Sequence, residues 1–93
     1  SNNDSDDTPL AYFWMGEINL TNGNLAVATQ NYNTLVGLYP AHWKVPLAKF
    51  KLGTIYSEQG NKERAVALFE SVIREYPDSS AAKASAETLS SLE

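Results

Sequence analysis

The chain has 93 residues, a net charge of −4 and no cysteine, which bounds it to one small domain or a fragment and excludes disulfides, thiolate metal sites and cysteine nucleophiles. Seven Lys and Arg against eleven Asp and Glu, with no basic cluster, leave little for phosphate contacts, so no nucleic-acid partner is expected. No apolar run approaches the roughly 20 residues of a membrane span, so direct membrane insertion is not expected either.

The first eight residues, SNNDSDDT, are polar and acidic, and residues 1–5 are expected to form a flexible tail ahead of a single domain over 6–93. Asp4, Asp6 and Asp7 lack the turn glycine and closing Glu of a calcium loop. The start at Ser1-Asn2, without methionine or signal peptide, points to a piece cut from a longer chain. An apolar stretch then runs from Pro9 and Leu10 to Gly23 and predicts a first helix. Asn24 sits where an N-cap belongs, after a glycine suited to a helix C-terminus. Leu25, Ala28, Tyr32, Leu35 and Val36 keep the beat of a second helix, which Tyr39-Pro40 ends, because proline disfavours helix in the residue before it. Leu47, Phe50, Leu52, Ile55 and Tyr56 predict a third helix, stopping at Gly60-Asn61. The fourth carries Ala65, Leu68, Phe69, Val72 and Ile73, an i, i+3, i+4, i+7, i+8 stripe. After Tyr76-Pro77, Ser79 offers a cap for a last helix over AAKASAETLSSL.

Shifting the chain by 37 positions lays residues 9–45 on 46–82 without a gap, with eleven identities. Among them are Gly16 with Gly53, Gly23-Asn24 with Gly60-Asn61, Ala28 with Ala65 and Tyr39-Pro40 with Tyr76-Pro77. The chain is therefore an internal repeat of helical hairpins. Repeat 1 spans about 6–42, repeat 2 about 43–78, and residues 79–92 form a capping helix with one polar face. A mid-helix glycine costs about 1 kcal/mol against alanine, so one that recurs needs a packing reason. Gly16, Gly53, Ala28 and Ala65 read as notches, with Tyr32 and Phe69 as the bulky partners that fill them.

This order of small and aromatic residues resembles the tetratricopeptide repeat. The second unit shows Leu52, Gly53, Tyr56, Gly60, Ala65, Phe69 and Pro77; the first shows Tyr12, Met15, Gly16, Gly23, Ala28, Tyr32 and Pro40. Asn19 and Lys49 depart from the pattern, each standing where an aromatic is usual. The resemblance implies an all-α fold, a right-handed superhelix of two antiparallel helix pairs plus a C-terminal capping helix. The period of 37 exceeds the usual 34, and the extra residues fall in AHWKVPL. If His42 caps the third helix, as Ser5 and Ser79 would cap their own, that helix is one turn longer than standard and Pro46 lies in its first turn.

More narrowly, Ala11-Tyr12-Phe13-Trp14-Met15-Gly16-Glu17 and Tyr76-Pro77-Asp78-Ser79 resemble the C-terminal domain of the Tol–Pal-associated YbgF family, also called the cell division coordinator CpoB. That resemblance implies a bacterial periplasmic adaptor that binds TolA and links cell-wall synthesis factors to outer-membrane constriction. The family's oligomerising N-terminal coiled coil is missing from this sequence, and a preceding repeat is expected to be missing too. Alternatives are an outer-membrane assembly lipoprotein, a generic repeat adaptor, or a structural spacer in a larger protein.

No residue pattern points to catalysis, a metal or a cofactor. The only histidine, His42, reads as a cap or surface residue, and Ser57 and Ser79 have no base nearby in sequence. A partner-binding surface must then follow from the repeat register, which places Leu10, Phe13, Glu17 and Leu20 on the inner side of unit one. Leu47, Phe50, Thr54 and Ser57 take the same places in unit two. Phe13 beside Phe50 would form an apolar strip for a protein or peptide partner; equally, both could be core between the repeats. The paired Lys and Asn of a dicarboxylate clamp are absent, which disfavours a C-terminal chaperone peptide.

Overall fold

A computed structural model describes residues 4–92, with side chains from residue 7 onward. Five helices follow in order: α1 (Asp4–Thr21), α2 (Leu25–Leu38), α3 (Val45–Glu58), α4 (Lys62–Glu75) and α5 (Ser80–Leu92). Because α1 starts at Asp4, it takes in the last two residues of the expected tail, and Ser5 lies inside the helix rather than capping it. Residues 1–3 of that tail, and the Asp4 and Asp6 side chains, lie outside what is described.

Both hairpins close in the same way. Gly23 (φ 81°) and Gly60 (φ 84°) take the left-handed conformation that glycine adopts without strain. The Asn24 N–H donates to the Asn19 carbonyl at 2.8 Å and the Gly23 N–H to that of Leu20 at 3.1 Å, a Schellman closure. Asn61 and Gly60 repeat it on Tyr56 (2.8 Å) and Ser57 (3.0 Å). Each asparagine then stands at the N-cap of the next helix. Asn61 caps with its side chain, whose Oδ1 accepts the Arg64 N–H at 3.3 Å. Asn24 holds the position without that bond and turns its amide to Asn19 Oδ1 at 3.4 Å. The unit ends also match, with Tyr39 at φ −130°, ψ 59° and Tyr76 at φ −134°, ψ 57°, each ahead of its proline.

The third helix is not longer than its neighbours. It spans Val45–Glu58, 14 residues like α2 and α4, and the extra residues of the 37-residue period lie in the connection 39–44. Pro46 does fall in the first turn of α3, where its missing N–H costs nothing. His42 sits ahead of the helix, and its Nδ1 accepts the Lys44 N–H at 3.1 Å, pinning the turn rather than the helix end. Ser79 caps α5 as expected: its Oγ accepts the Ala82 N–H at 3.0 Å and donates to the Tyr76 carbonyl at 2.7 Å.

The helices stack as α1/α2 and α3/α4 hairpins, with α5 packed on α3 and α4. The first core joins both units through Phe13, Ala28, Tyr32, Leu35, Val45, Ala48, Leu52 and Ile55; a second gathers Val72, Ala81 and Ala82 under Phe50 and Ile73. The glycine notches are real. A methyl on Gly16 would stand 2.6 Å from Tyr32 Cε1, and one on Gly53 would stand 2.5 Å from Phe69 Cε1. Each helix hairpin closes to that distance because its glycine leaves room for the facing ring.

The two departures from the repeat pattern are accommodated by polar substitutes. Where unit one packs Tyr12 against Tyr39 (ring centroids 6.5 Å apart), unit two sets the Lys49 ammonium 5.8 Å from the Tyr76 ring. Lys49 Nζ also reaches Ser71 Oγ (3.0 Å) and Glu75 Oε1 (3.1 Å), and its hydrogen bond holds the Glu75 carboxyl below the usual carboxylate range. Where unit two has Tyr56, Asn19 donates to the Met15 carbonyl (2.9 Å) and meets the Asn31 amide of α2 at 3.0 Å. Asn31, unexplained by the repeat, is thus the α2 half of a polar tie between the first two helices.

Candidate functional site

Although the backbones of α1 and α3 scarcely meet, long side chains from α3 and from the residue ahead of it reach across to α1. Lys44, at the start of α3, extends its ammonium over three rings: Phe13 at 4.5 Å, Trp43 at 4.9 Å and Trp14 at 5.6 Å. A lysine so placed is held by the ring faces while its charge stays wet. Trp14 and Trp43 flank it as the most exposed aromatic pair in the molecule's described part, 53% and 68% exposed. The His42 ring lies against Trp43, centroids 5.5 Å apart and planes 26° from parallel.

One turn further along α1, Glu17 anchors the polar half of this surface. Its Oε2 accepts the Tyr32 hydroxyl at 2.7 Å, and its Oε1 lies 3.7 Å from Lys51 Nζ on α3. Burial, then the hydrogen bond to Glu17 and that carboxylate's charge, push the Tyr32 phenol far above its ordinary range. Trp14, Glu17, Ile18, Thr21 and Asn22 line an open hollow of about 290 Å³. The arrangement offers two rigid aromatic anchors, a cation between them and an ion pair alongside, the kind of chemistry that holds a protein surface.

The residues expected to line a groove divide in two. Phe13 is 1% exposed and belongs to the first core, so the core alternative holds for it. It does not stack on Phe50: its ring partners are Trp14 (5.2 Å) and Tyr32 (6.1 Å), while Phe50 meets Phe69 (5.7 Å). Each phenylalanine packs on the helix-B ring of its own unit. Leu20 and Leu47 pack against the first core and Phe50 against the second, while Leu10 is half-buried. Glu17, Thr54 and Ser57 remain at the half-exposed surface, with the Thr54 hydroxyl donating to the Lys51 carbonyl at 2.7 Å. The register named Glu17, Thr54 and Ser57, which stay half-exposed, and did not name Trp14, Trp43 or Lys44. A signal existed: positions that do not recur at the 37-residue offset, such as Trp14 with Lys51 or Trp43 with Ser80, are the ones the repeat's packing does not dictate.

Among the described residues, no group of three or more His, Cys, Asp or Glu is placed to hold a metal, and no helix is long and apolar enough to cross a membrane. A second open hollow, of about 310 Å³, lies between Asn33, Leu52, Tyr56, Arg64, Ala67 and Leu68, with the Arg64 guanidinium 5.0 Å from the Tyr56 ring. This gives Asn33 a place at the surface where α2 meets the second unit.

No curated protein matches the chain. Residues 47–79, which take in α3 from its third residue, α4 and the turn after it, match the tetratricopeptide repeat family. With the second unit so matched and the first superposing on it in sequence, turn and notch, the chain has the all-α, tetratricopeptide-like fold of stacked helical hairpins.

Proposed function

We propose that this domain is a protein-interaction scaffold that recognises a protein segment on the Trp14–Lys44–Trp43 surface, and that it works as a periplasmic adaptor of the Tol–Pal kind. The observation carrying the first half is the exposure of two tryptophans around one lysine where the connection ahead of α3 reaches across to α1. Large aromatic side chains held on rigid helices are the residues that most often dominate binding energy at interfaces. What supports the second half is the run Ala11 to Glu17 together with the Tyr76-Pro77-Asp78-Ser79 close, which resembles the TolA-binding adaptor family. TolA and cell-wall synthesis factors are the partners this reading names, and the bacterial periplasm is its compartment.

The test is a titration of the purified domain with the periplasmic domains of TolA, alongside a Trp14→Ala, Trp43→Ala double variant. Both side chains are largely outside the core, so the variant should keep its helical circular dichroism and melting temperature. Its affinity should fall roughly tenfold or more. Wild-type domain that fails to bind TolA removes the Tol–Pal assignment. A folded double variant that binds as well as wild type removes the surface.

A further inference from the structure

Helices α2 and α4 both pack on α3 and scarcely meet each other, which leaves a gap between them above α3. The open hollow of about 310 Å³ lies in that gap. Leu52 of α3 and Ala67 and Leu68 of α4 give it an apolar lining, while Asn33 of α2, Tyr56 of α3 and Arg64 of α4 bring polar groups to it.

Those polar groups are not spent on this chain. Among the described residues, no carboxylate lies within ion-pair distance of the Arg64 guanidinium, whereas Lys49 and Arg74 pair with Glu75 and Lys51 with Glu17. Nor do the Asn33 amide and the Tyr56 hydroxyl have a hydrogen-bond partner among these residues. The Arg64 guanidinium stands 5.0 Å from the Tyr56 ring, which holds it by the ring's negative face. Its N–H groups lie at the edge of its own plane, and their fork matches the two oxygens of a carboxylate.

The corresponding place in the first unit is built differently. Asn19 and Asn31, at the positions of Tyr56 and Leu68, are spent on each other at 3.0 Å, and Val27 stands for Arg64. Asn33 likewise does not recur, since Glu70 lies 37 residues on. The repeat's packing therefore dictates neither Asn33 nor Arg64, yet both line the same hollow.

We propose that this hollow is a second interaction site, which takes a protein segment carrying a glutamate or aspartate beside an aliphatic residue. The carboxylate accepts the N–H fork of Arg64, with the Asn33 amide on the opposite wall as a further donor. The aliphatic side chain sits on Leu52 and Leu68, where the small Ala67 leaves room for it. The net charge of −4 opposes an acidic partner at long range, so recognition rests on this local cation and not on steering. The site goes beyond the Trp14–Lys44–Trp43 reading and shares no residue with that surface or its hollow.

The test is an NMR titration of the domain, followed by its amide shifts, with millimolar acetyl-Gly-Leu-Glu-Leu-Gly-amide. Shifts should concentrate on Asn33, Tyr56, Arg64 and Ala67. Affinity should fall about tenfold for the same peptide with glutamine in place of glutamate, and about tenfold for the Arg64→Gln domain. Arg64→Lys, which keeps the charge without the fork, should recover only part of that loss. Arg64 is exposed, so both variants should melt with the wild type. The Trp14→Ala, Trp43→Ala variant should bind the peptide as well as wild type, which keeps this outcome apart from that of the tryptophan surface. Absence of shifts at the hollow would overturn the proposal, as would equal binding of the glutamine peptide or an unchanged affinity of Arg64→Gln. A peptide with glycine for both leucines that bound equally well would also overturn it, because the apolar lining would then play no part.

Discussion

At Gly53 an added methyl would arrive 2.5 Å from Phe69 Cε1 and 2.9 Å from two further atoms of the same buried ring. At Gly37, in the last turn of α2, the same methyl would meet nothing within 4 Å. Alanine in place of a helical glycine gains about 1 kcal/mol from the backbone alone. Against this, forcing an extra carbon into a filled core costs about 1–3 kcal/mol. Gly53→Ala should therefore destabilise by up to about 2 kcal/mol, whereas Gly37→Ala should stabilise by up to about 1 kcal/mol, less if the helix end frays. Urea unfolding of both variants measures the two signs, and a Gly53→Ala protein as stable as wild type would show that the Phe69 ring can move aside. The pair separates two glycines that look alike in sequence.

At the scale of the helix, α5 carries one misfit. Ser85 is fully buried and its hydroxyl has no hydrogen-bond partner among the described residues. At the corresponding position α3 has Ala48, equally buried. A buried hydroxyl left without a partner costs about 1–3 kcal/mol, and alanine is also the better helix former. Ser85→Ala should raise stability by about 1 kcal/mol or more, read as a higher urea midpoint at unchanged slope. A lower midpoint would mean that the hydroxyl finds a partner in solution.

The helices themselves, their Gly-Asn turns and their Tyr-Pro ends were legible in the sequence because the repeat states each requirement twice. Gly16 with Tyr32 and Gly53 with Phe69 needed no coordinates to be paired. The length of α3 was not legible, because Pro46 fits the first turn of either a longer or a shorter helix, and only the His42–Lys44 contact decides where the turn ends. Phe13 was open for a related reason. Register says which way a side chain faces, but not that a lysine from the next connection will fold across its ring. The exposed tryptophans follow from the same segment, whose conformation depends on both units together.

For the whole molecule, the link between Tyr32 and Glu17 sets a pH dependence. Tyr32 is fully buried, and burial and the Glu17 carboxylate keep its phenol protonated well beyond its ordinary range. In the unfolded chain the same phenol ionises near pH 10. The folded state then holds a proton that the unfolded state releases, so the contribution is intact below about pH 10 and is lost as pH rises beyond it. Tyr32→Phe, which copies Phe69 of the second unit, should flatten that alkaline loss while lowering stability at pH 7 by about 1 kcal/mol. Thermal melts between about pH 7 and 11 test this, and an alkaline limb as steep in the variant as in wild type would locate the effect in other groups.

The connections have a mechanical consequence. Inside each unit a three-residue turn, closed by two backbone bonds, leaves the helices no slack, and the paired helices share the most extensive contacts among the described residues. Between the units, residues 39–44 form a longer link with a smaller interface beside it. Tension applied through the two ends would therefore concentrate at that link. The chain would part there into two intact hairpins before either hairpin opened, and the Lys44 seal over Phe13, Trp14 and Trp43 would be among the first contacts to go.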